Sequence, residues 1–283
     1  MTLAALQEGL ITENSTLPCG GSFMYGNRSY ACHGAHGNIN ARTAIKVSCN
    51  VYFYRLALKM GLETMSKYAK MFGFGNKTEI DLPNESRGLF PDENYWNKRK
   101  GFSKGLLVNY GIGQGEISIT PIQMAAYIST IANKGVVYQP HLVKAMYNHI
   151  TNKFEGFEYG ARILPINPHH FEVVEKGMHD VVHSSGGTAY MTYLNHKYML
   201  PGIDIYGKTG TAQNPHGKSH SWFVCYAVRD GKKIALSIIV ENVGYGAEYA
   251  APIAMKMISN YYGLDTLKPY TPNIDSLNVA KNN

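Results

Sequence analysis

Two short runs carry side chains able to move protons and hold charge. Ser48-Cys49-Asn50 sets a hydroxyl and an amide two residues apart, and Lys208-Thr209-Gly210-Thr211 sets an ammonium beside two hydroxyls and a glycine. A hydroxyl both donates and accepts, so Ser48 can relay a proton. Lys208 supplies positive charge that favours a carboxylate and keeps a neighbouring base deprotonated. Thr209 and Thr211 add two hydroxyls beside that charge, and Gly210 is the one residue of the run without a side chain. Taken singly, each has an ordinary reading: Ser48 and Asn50 can cap a helix, and Lys208 can be a solvated strand residue. A Ser-x-Asn triplet arises about once by chance in a chain of this size.

A second group offers metal chemistry. Cys19, Cys32, His36 and Cys49 follow the spacing Cys-x12-Cys-x3-His-x12-Cys, and His33 stands by as a substitute ligand. Three thiolates and one imidazole suit a tetrahedral structural zinc. The spacing is not that of a standard zinc finger, so two other readings stay open: a Cys19–Cys32 disulfide in an oxidising compartment, and buried free thiols. Cys225 falls in a strand-like run and reads as core.

These residues need elements to hold them. Residues 1–8 read as a helix stopped by Gly9, and 13–38, rich in Gly, Ser, Asn and Cys, read as loop. Helical spacing runs from Ala41 to Met60, with a break near Ser48-Cys49-Asn50 because Ser and Asn favour caps over helix interiors. Leu62–Phe72 reads as a further short helix, and 75–105 as irregular. Thr120-Pro121-Ile122-Gln123 is a helix start with a cap, a first-position proline and a capping-box glutamine, predicting a helix to about Ala132. Asn167-Pro168 opens another, with Phe171, Val174, Met178, Val181 and Val182 as its buried stripe and Gly186-Gly187 as its end. The period then changes to two. Ile203–Tyr206, Trp222–Val228 and Ile234–Val240 read as strands, with Gly231 in the second turn, and Glu248–Tyr262 as a closing helix.

The chain has 283 residues and a net charge of +7, with basic and acidic residues interspersed and only short basic runs such as Lys98-Arg99-Lys100. That is too little clustering for a nucleic-acid stripe, so no nucleic-acid partner is expected. No apolar run is long enough to span a bilayer. The opening Met1–Leu10 reads as the body of an amphipathic helix without a capping residue ahead of it.

Order, spacing and flanks of the two motifs, with Gly111-Ile112-Gly113-Gln114-Gly115, Thr120-Pro121-Ile122-Gln123-Met124, Gly187-Thr188-Ala189 and His220-Ser221-Trp222-Phe223-Val224, make the chain resemble the class B penicillin-binding proteins up to about residue 262. It most resembles their penicillin-binding protein 2 group of the cell-elongation machinery. In that family Ser-x-Asn and Lys-Thr-Gly are the second and third motifs of the serine transpeptidase and β-lactamase group. The resemblance implies an α/β fold of that type: a helical subdomain plus an antiparallel sheet flanked by helices, lacking early strands. It implies a partial transpeptidase domain over 1–265 and a polar tail over 266–283. It also implies peptidoglycan D,D-transpeptidation through a serine acyl-enzyme, with stem peptides and β-lactams as ligands and no organic cofactor. Ser48 would relay protons, Asn50 would hold a lysine and the substrate amide, Lys208, Thr209 and Thr211 would grip the substrate carboxylate, Gly210 would leave room for the substrate backbone along the strand, and the Thr211 backbone N–H would form half of an oxyanion hole. In the full-length protein a membrane-embedded glycan polymerase is the expected partner, at the periplasmic face of the inner membrane. Some members hold zinc with Asp, Cys and His; here Cys19 and Cys32 fall where those relatives place carboxylates, with His36 and Cys49 at matching positions.

The family's first motif, Ser-x-x-Lys, is missing, since no serine here has lysine three residues on. Its expected place is a few residues before Met1, which makes a fragment the first expectation, a mis-assigned start the second and a pseudoenzyme the third. Alternatives of the same fold are a β-lactamase or a β-lactam sensor, and outside enzymes, an inactive scaffold.

Overall fold

The computed structural model describes residues 1–99 and 101–264, so the polar tail expected over 266–283 lies outside the described residues. Helices α1 (Thr2–Gln7), α2 (Ala41–Lys46), α3 (Asn50–Met71), α4 (Glu93–Arg99), α5 (Gly105–Tyr110) and α6 (Pro121–Ala132) build the helical part. Helix α7 (Pro168–His183) leads through α8 (Tyr190–His196) to the sheet strands β7 (Asp204–Ala212), β8 (His220–Arg229) and β9 (Lys232–Val240), and α9 (Ala250–Tyr261) closes the described chain. The three strands are antiparallel in the order β7-β8-β9. Helix α7 packs along β7, α6 along β9, and α9 across β8 and β9. Leu56, Phe171, Phe223 and Ile258 are fully buried members of one continuous apolar core. The expected α/β layout is therefore observed, and the late run of strands and closing helix holds within a few residues.

Local signals set many of the boundaries. Thr120 accepts from Gln123 N–H while Gln123 reaches back to Thr120 N–H, the reciprocal capping box read in the sequence. The β8–β9 connection is a two-residue Asp230-Gly231 turn with both φ values positive, at 50° and 75°, the mirror-image turn whose twist suits a hairpin. The expected break between Met60 and Leu62 is a kink at Gly61 (φ 74°) inside one helix, α3.

Two expectations fail. The stretch 75–105 is not irregular throughout, since it holds α4 (Glu93–Arg99), with Asp92 Oδ1 accepting from Tyr95 N–H at 2.8 Å. Residues 13–38 are not loop: β1 (Leu17–Tyr25) and β2 (Arg28–Ile39) form a long antiparallel hairpin around Gly26-Asn27, with Gly26 at φ 58°. Their apolar side chains do alternate, with Leu17, Cys19, Phe23 and Tyr25 on β1 and Tyr30 and Cys32 on β2 packed against the core, but the Gly, Ser and Asn residues between them read as loop. Gly-Asn between two extended runs was the available hairpin signal. Two smaller pairs were also unread: β3 (Val136–Tyr138) with β6 (Ala161–Ile163), and β4 (Ala145–Asn148) with β5 (Lys153–Gly156).

Candidate active site

The corner carrying Ser48 is made by how α2 ends. Ser48 N–H donates to Ile45 C=O at 3.2 Å and Cys49 N–H to Ala44 C=O at 2.9 Å, the paired bonds of a Schellman ending. That ending needs a left-handed residue where glycine is usual, and Ser48 takes it at φ 52°. A non-glycine residue there costs on the order of 1 kcal/mol, a local strain of the kind that gathers at functional sites. One residue later Cys49 caps α3, its Sγ accepting from Tyr52 N–H at 3.4 Å. Two helix ends meeting head to tail thus turn the Ser48 hydroxyl out of both.

The opposite wall is β7. Lys208 Nζ donates to Ser48 Oγ at 2.7 Å and to its neighbour's carbonyl, Thr209 C=O, at 2.9 Å, joining residues 160 apart in sequence. Lys208 as a residue is only half-buried, yet its ammonium is surrounded by protein, and that desolvation lowers its pKa to about 8. A lysine so placed is charged at neutral pH and close to giving up its proton.

Thr209 Oγ1 lies 2.7 Å from Thr188 Oγ1, and Thr188 N–H donates to Lys46 C=O at the end of α2. Thr188 therefore ties the lysine strand to the serine corner, a role that Gly187-Thr188-Ala189 did not disclose in the sequence. Alternate residues of β7 turn their backbone polar groups to the cleft, since Thr211 C=O accepts from Gln114 Nε2 at 3.1 Å. A cavity of about 550 Å³ opens along Lys208–Ala212 and is walled by Phe53, Ile112, Met124 and Trp222. Gly210 lets Gly246 approach closely from the neighbouring segment: a Cβ on Gly246 would lie 2.6 Å from Gly210 O. Asn50 sits at the mouth of the corner, its Nδ2 donating to Ala31 C=O at 3.3 Å.

The four expected metal-ligating residues converge beside this corner. Cys19 Sγ and Cys32 Sγ lie 3.5 and 3.6 Å from His36 Nδ1, and Cys32 Sγ lies 3.8 Å from Cys49 Sγ. All four ligand atoms fall within 4.8 Å of one another; His33 stays outside the group. All cysteines are free, so the alternative Cys19–Cys32 bridge is not formed. The period of two in β2 puts Cys32 and His36 on one face, and register shifts on either side of Gly20 in β1 bring Cys19 to them. Burial opposes ionisation of Cys19, but hydrogen bonds from the backbone of His36 and Gly21 and from the Cys49 and His36 side chains outweigh it, bringing the thiol down to about 6. Cys49 moves the other way, pushed up chiefly by burial.

Known proteins are similar to this chain in sequence and in fold. Residues 1–259 match the family described as the penicillin binding protein transpeptidase domain. Peptidoglycan D,D-transpeptidase MrdA of Haemophilus influenzae is 31% identical over 301 residues, covering 99% of this chain and 44% of its own. The chain thus spans less than half the length of that relative. Among solved structures, Pseudomonas aeruginosa PBP2 in complex with WCK 5153 is similar at a TM-score of 0.79 and 30% identity, over 92% of this chain and 56% of that one. Helicobacter pylori PBP2 in complex with MreC follows at a TM-score of 0.77 and 30% identity, over 94% of this chain and 48% of that one. A transpeptidase match over nearly the whole described chain, with Ser-x-Asn facing Lys-Thr-Gly across one cleft, places this chain in the penicillin-binding protein transpeptidase family, in its class B, PBP2-like branch.

Proposed function

We propose that the chain forms the carboxylate-gripping, proton-relaying part of a peptidoglycan D,D-transpeptidase site. The observation that carries this is the 2.7 Å bond from Lys208 Nζ to Ser48 Oγ. In such an acyl transfer a serine hydroxyl adds to the carbonyl between two D-alanines. The C–N bond then breaks, the terminal D-alanine leaves with a proton on its nitrogen, and the amine of a second stem displaces the serine from the ester. Here Ser48 accepts from Lys208 and can pass a proton to the departing nitrogen. Lys208, with Thr209 and Thr211 beside it, meets the terminal carboxylate. Thr211, whose backbone faces the cleft, offers its N–H to the developing oxyanion; one such donor is worth about two to three orders of magnitude in rate. Asn50 orients the amide of the bound peptide.

Cys19, Cys32, His36 and Cys49 fit a structural zinc by donor type and convergence. Held by these four, the metal would fasten the β1–β2 hairpin to the first turn of α3 and so fix the Ser48 corner. Elemental analysis of the purified protein is expected to return one zinc per chain, and protein free of zinc removes the metal reading. In the full-length protein the partners are a membrane-embedded glycan polymerase and, as for the Helicobacter pylori relative, MreC; the setting is the periplasmic face of the inner membrane. Among the described residues no helix is long and apolar enough to cross a membrane.

The test is ligand binding by the chain itself. A tripeptide ending in D-Ala-D-Ala is expected to bind saturably, its L-Ala-L-Ala counterpart far more weakly, and Lys208→Met to lose the difference. Equal binding of both peptides overturns the reading. Because no serine here is followed at the third position by lysine, intact mass after incubation with benzylpenicillin is expected to show no adduct. An adduct on Ser48 would make it a nucleophile and end its assignment as a relay.

A further inference from the structure

The Gly-Gln-Gly run singled out in the sequence has no part in the mechanism above, yet its glutamine touches the substrate-facing edge of β7 at two points. Gln114 Nε2 donates to Thr211 C=O at 3.1 Å, and Gln114 Oε1 accepts from Gln213 N–H at 3.3 Å. A carbonyl and an N–H two residues apart on one strand edge are what the N–H and C=O of a single residue of a parallel neighbouring strand engage. The primary amide of Gln114, with its N–H and C=O on the same side, therefore occupies the end of β7 as one residue of an added strand would.

The position matters because the ladder ends there. Strand β8 pairs with β7 only as far as Ala212↔His220, so Gln213 has left the sheet. Two bonds from Gln114 hold the strand end that β8 no longer reaches, next to Thr211, whose N–H is the proposed oxyanion donor. The loop is shaped to present this side chain. Gly113 and Gly115 both have positive φ, 75° and 88°, and Gln114 N–H is tied back to Asn109 C=O at 3.0 Å. Gly111 packs so tightly on α3 that a Cβ there would lie 2.6 Å from Phe53 O. Tyr110, against which Gly115 packs, is held by its hydroxyl donating to Glu116 Oε2 at 2.8 Å. The loop is thus braced on the helix that begins at Asn50, and it reaches across to the lysine strand.

We infer that Gln114 is a positioning residue, a two-point amide clamp that holds the end of β7 so that Thr211 presents its backbone N–H and C=O to the substrate peptide; this rests on the transpeptidase reading of the cleft. Thr211 C=O has two lone pairs, so a bound peptide amide shares it with Gln114.

The test uses the isostere Gln114→Glu. At neutral pH its carboxylate sets an oxygen against Thr211 C=O and breaks the clamp; once protonated, its hydroxyl donates to Thr211 C=O while its carbonyl accepts from Gln213 N–H, restoring it. Binding of a D-Ala-D-Ala tripeptide is measured against the unaltered protein at each pH, so that pH effects common to both proteins and the peptide cancel in the ratio. The ratio is expected to be about tenfold at pH 7.5, the scale of one or two lost hydrogen bonds, and to close as pH falls toward 5. A pH-independent ratio overturns the clamp. Hydrogen exchange at the Gln213 amide reads the clamp without ligand: it is expected to be at least tenfold faster in Gln114→Ala, and equal rates overturn the inference. If Gln213 is protected but the unaltered chain ignores the tripeptide, the cleft reading fails, and the clamp fails as a substrate-positioning device.

Discussion

The two walls of the cleft are built on opposite principles. The Ser48 wall is a corner of seven residues, Ala44 to Asn50, where one helix ends on a left-handed serine and the next begins on a cysteine cap. Buried Ala44, Ile45 and Cys49 anchor the corner, and its outer fastening is a group of sulfur and imidazole side chains from a hairpin whose one apolar face is mostly only half-buried. The Lys208 wall is one strand of a continuous ladder, nine residues paired with β8 and backed by buried Phe223 and Cys225. The contrast teaches where each side chain of the proposed site gets its precision. Ser48 depends on point contacts, whereas Lys208 inherits the stiffness of a sheet.

The ladder wall should break most severely when backbone is forced against backbone. In Gly246→Ala the new methyl would lie 2.2 Å from Trp222 O and 2.6 Å from Gly210 O, neither of which can rotate away. The expected cost is about 4 kcal/mol or more, read as a large fall in the thermal midpoint or loss of soluble protein. A midpoint within a degree or two of the parent would show that the sheet wall yields.

Removing the corner's fastening comes next. Cys49→Ala takes away both a proposed metal donor and the side-chain cap of α3. A fall of roughly 3 kcal/mol is expected, about 6–12 °C in midpoint, with zinc lost in parallel. Chelation of the parent should reproduce most of it. If chelation leaves the midpoint unchanged, the corner is self-supporting and the contrast between the walls collapses.

The bond joining the walls responds to pH, and its two consequences run in opposite directions. Lys208 titrates near 8 in the folded chain and near 10.5 unfolded. Between those values the unfolded state holds the extra proton, so stability on this account rises with pH across that window and is flat below it. The carboxylate grip needs the ammonium, so affinity for a D-Ala-D-Ala peptide should fall as pH passes 8. Lys208→Met should show neither trend, and a parent whose affinity is constant from pH 7 to 9.5 would count against charge at this position.

The smallest effect is the most pointed. Ser48→Gly keeps the left-handed φ of 52° without a side-chain penalty, so the variant should gain about 0.5–1 kcal/mol in chemical denaturation while losing peptide affinity. A destabilised Ser48→Gly would mean that the bond to Lys208 outweighs the strain.

Much of this was readable in the chain before any coordinates. The break at Ser48-Cys49-Asn50, the Thr120 capping box, the Asp230-Gly231 turn and the strand bearing Lys208 each follow from the preferences of a few adjacent residues. The grouping of Cys19, Cys32, Cys49 and His36 was legible as a set of donors, though not the hairpin that carries three of them, because the glycines, serines and asparagines interleaved with its half-buried face read as loop. Thr188 against Thr209 and Gln114 against Thr211 were not legible at all. Local sequence determined which backbone shapes could form, because caps, turns and strand periodicity involve near neighbours. Only the tertiary structure decided which side chains meet across the cleft, because those distances are set by how whole helices and a sheet pack around a shared core.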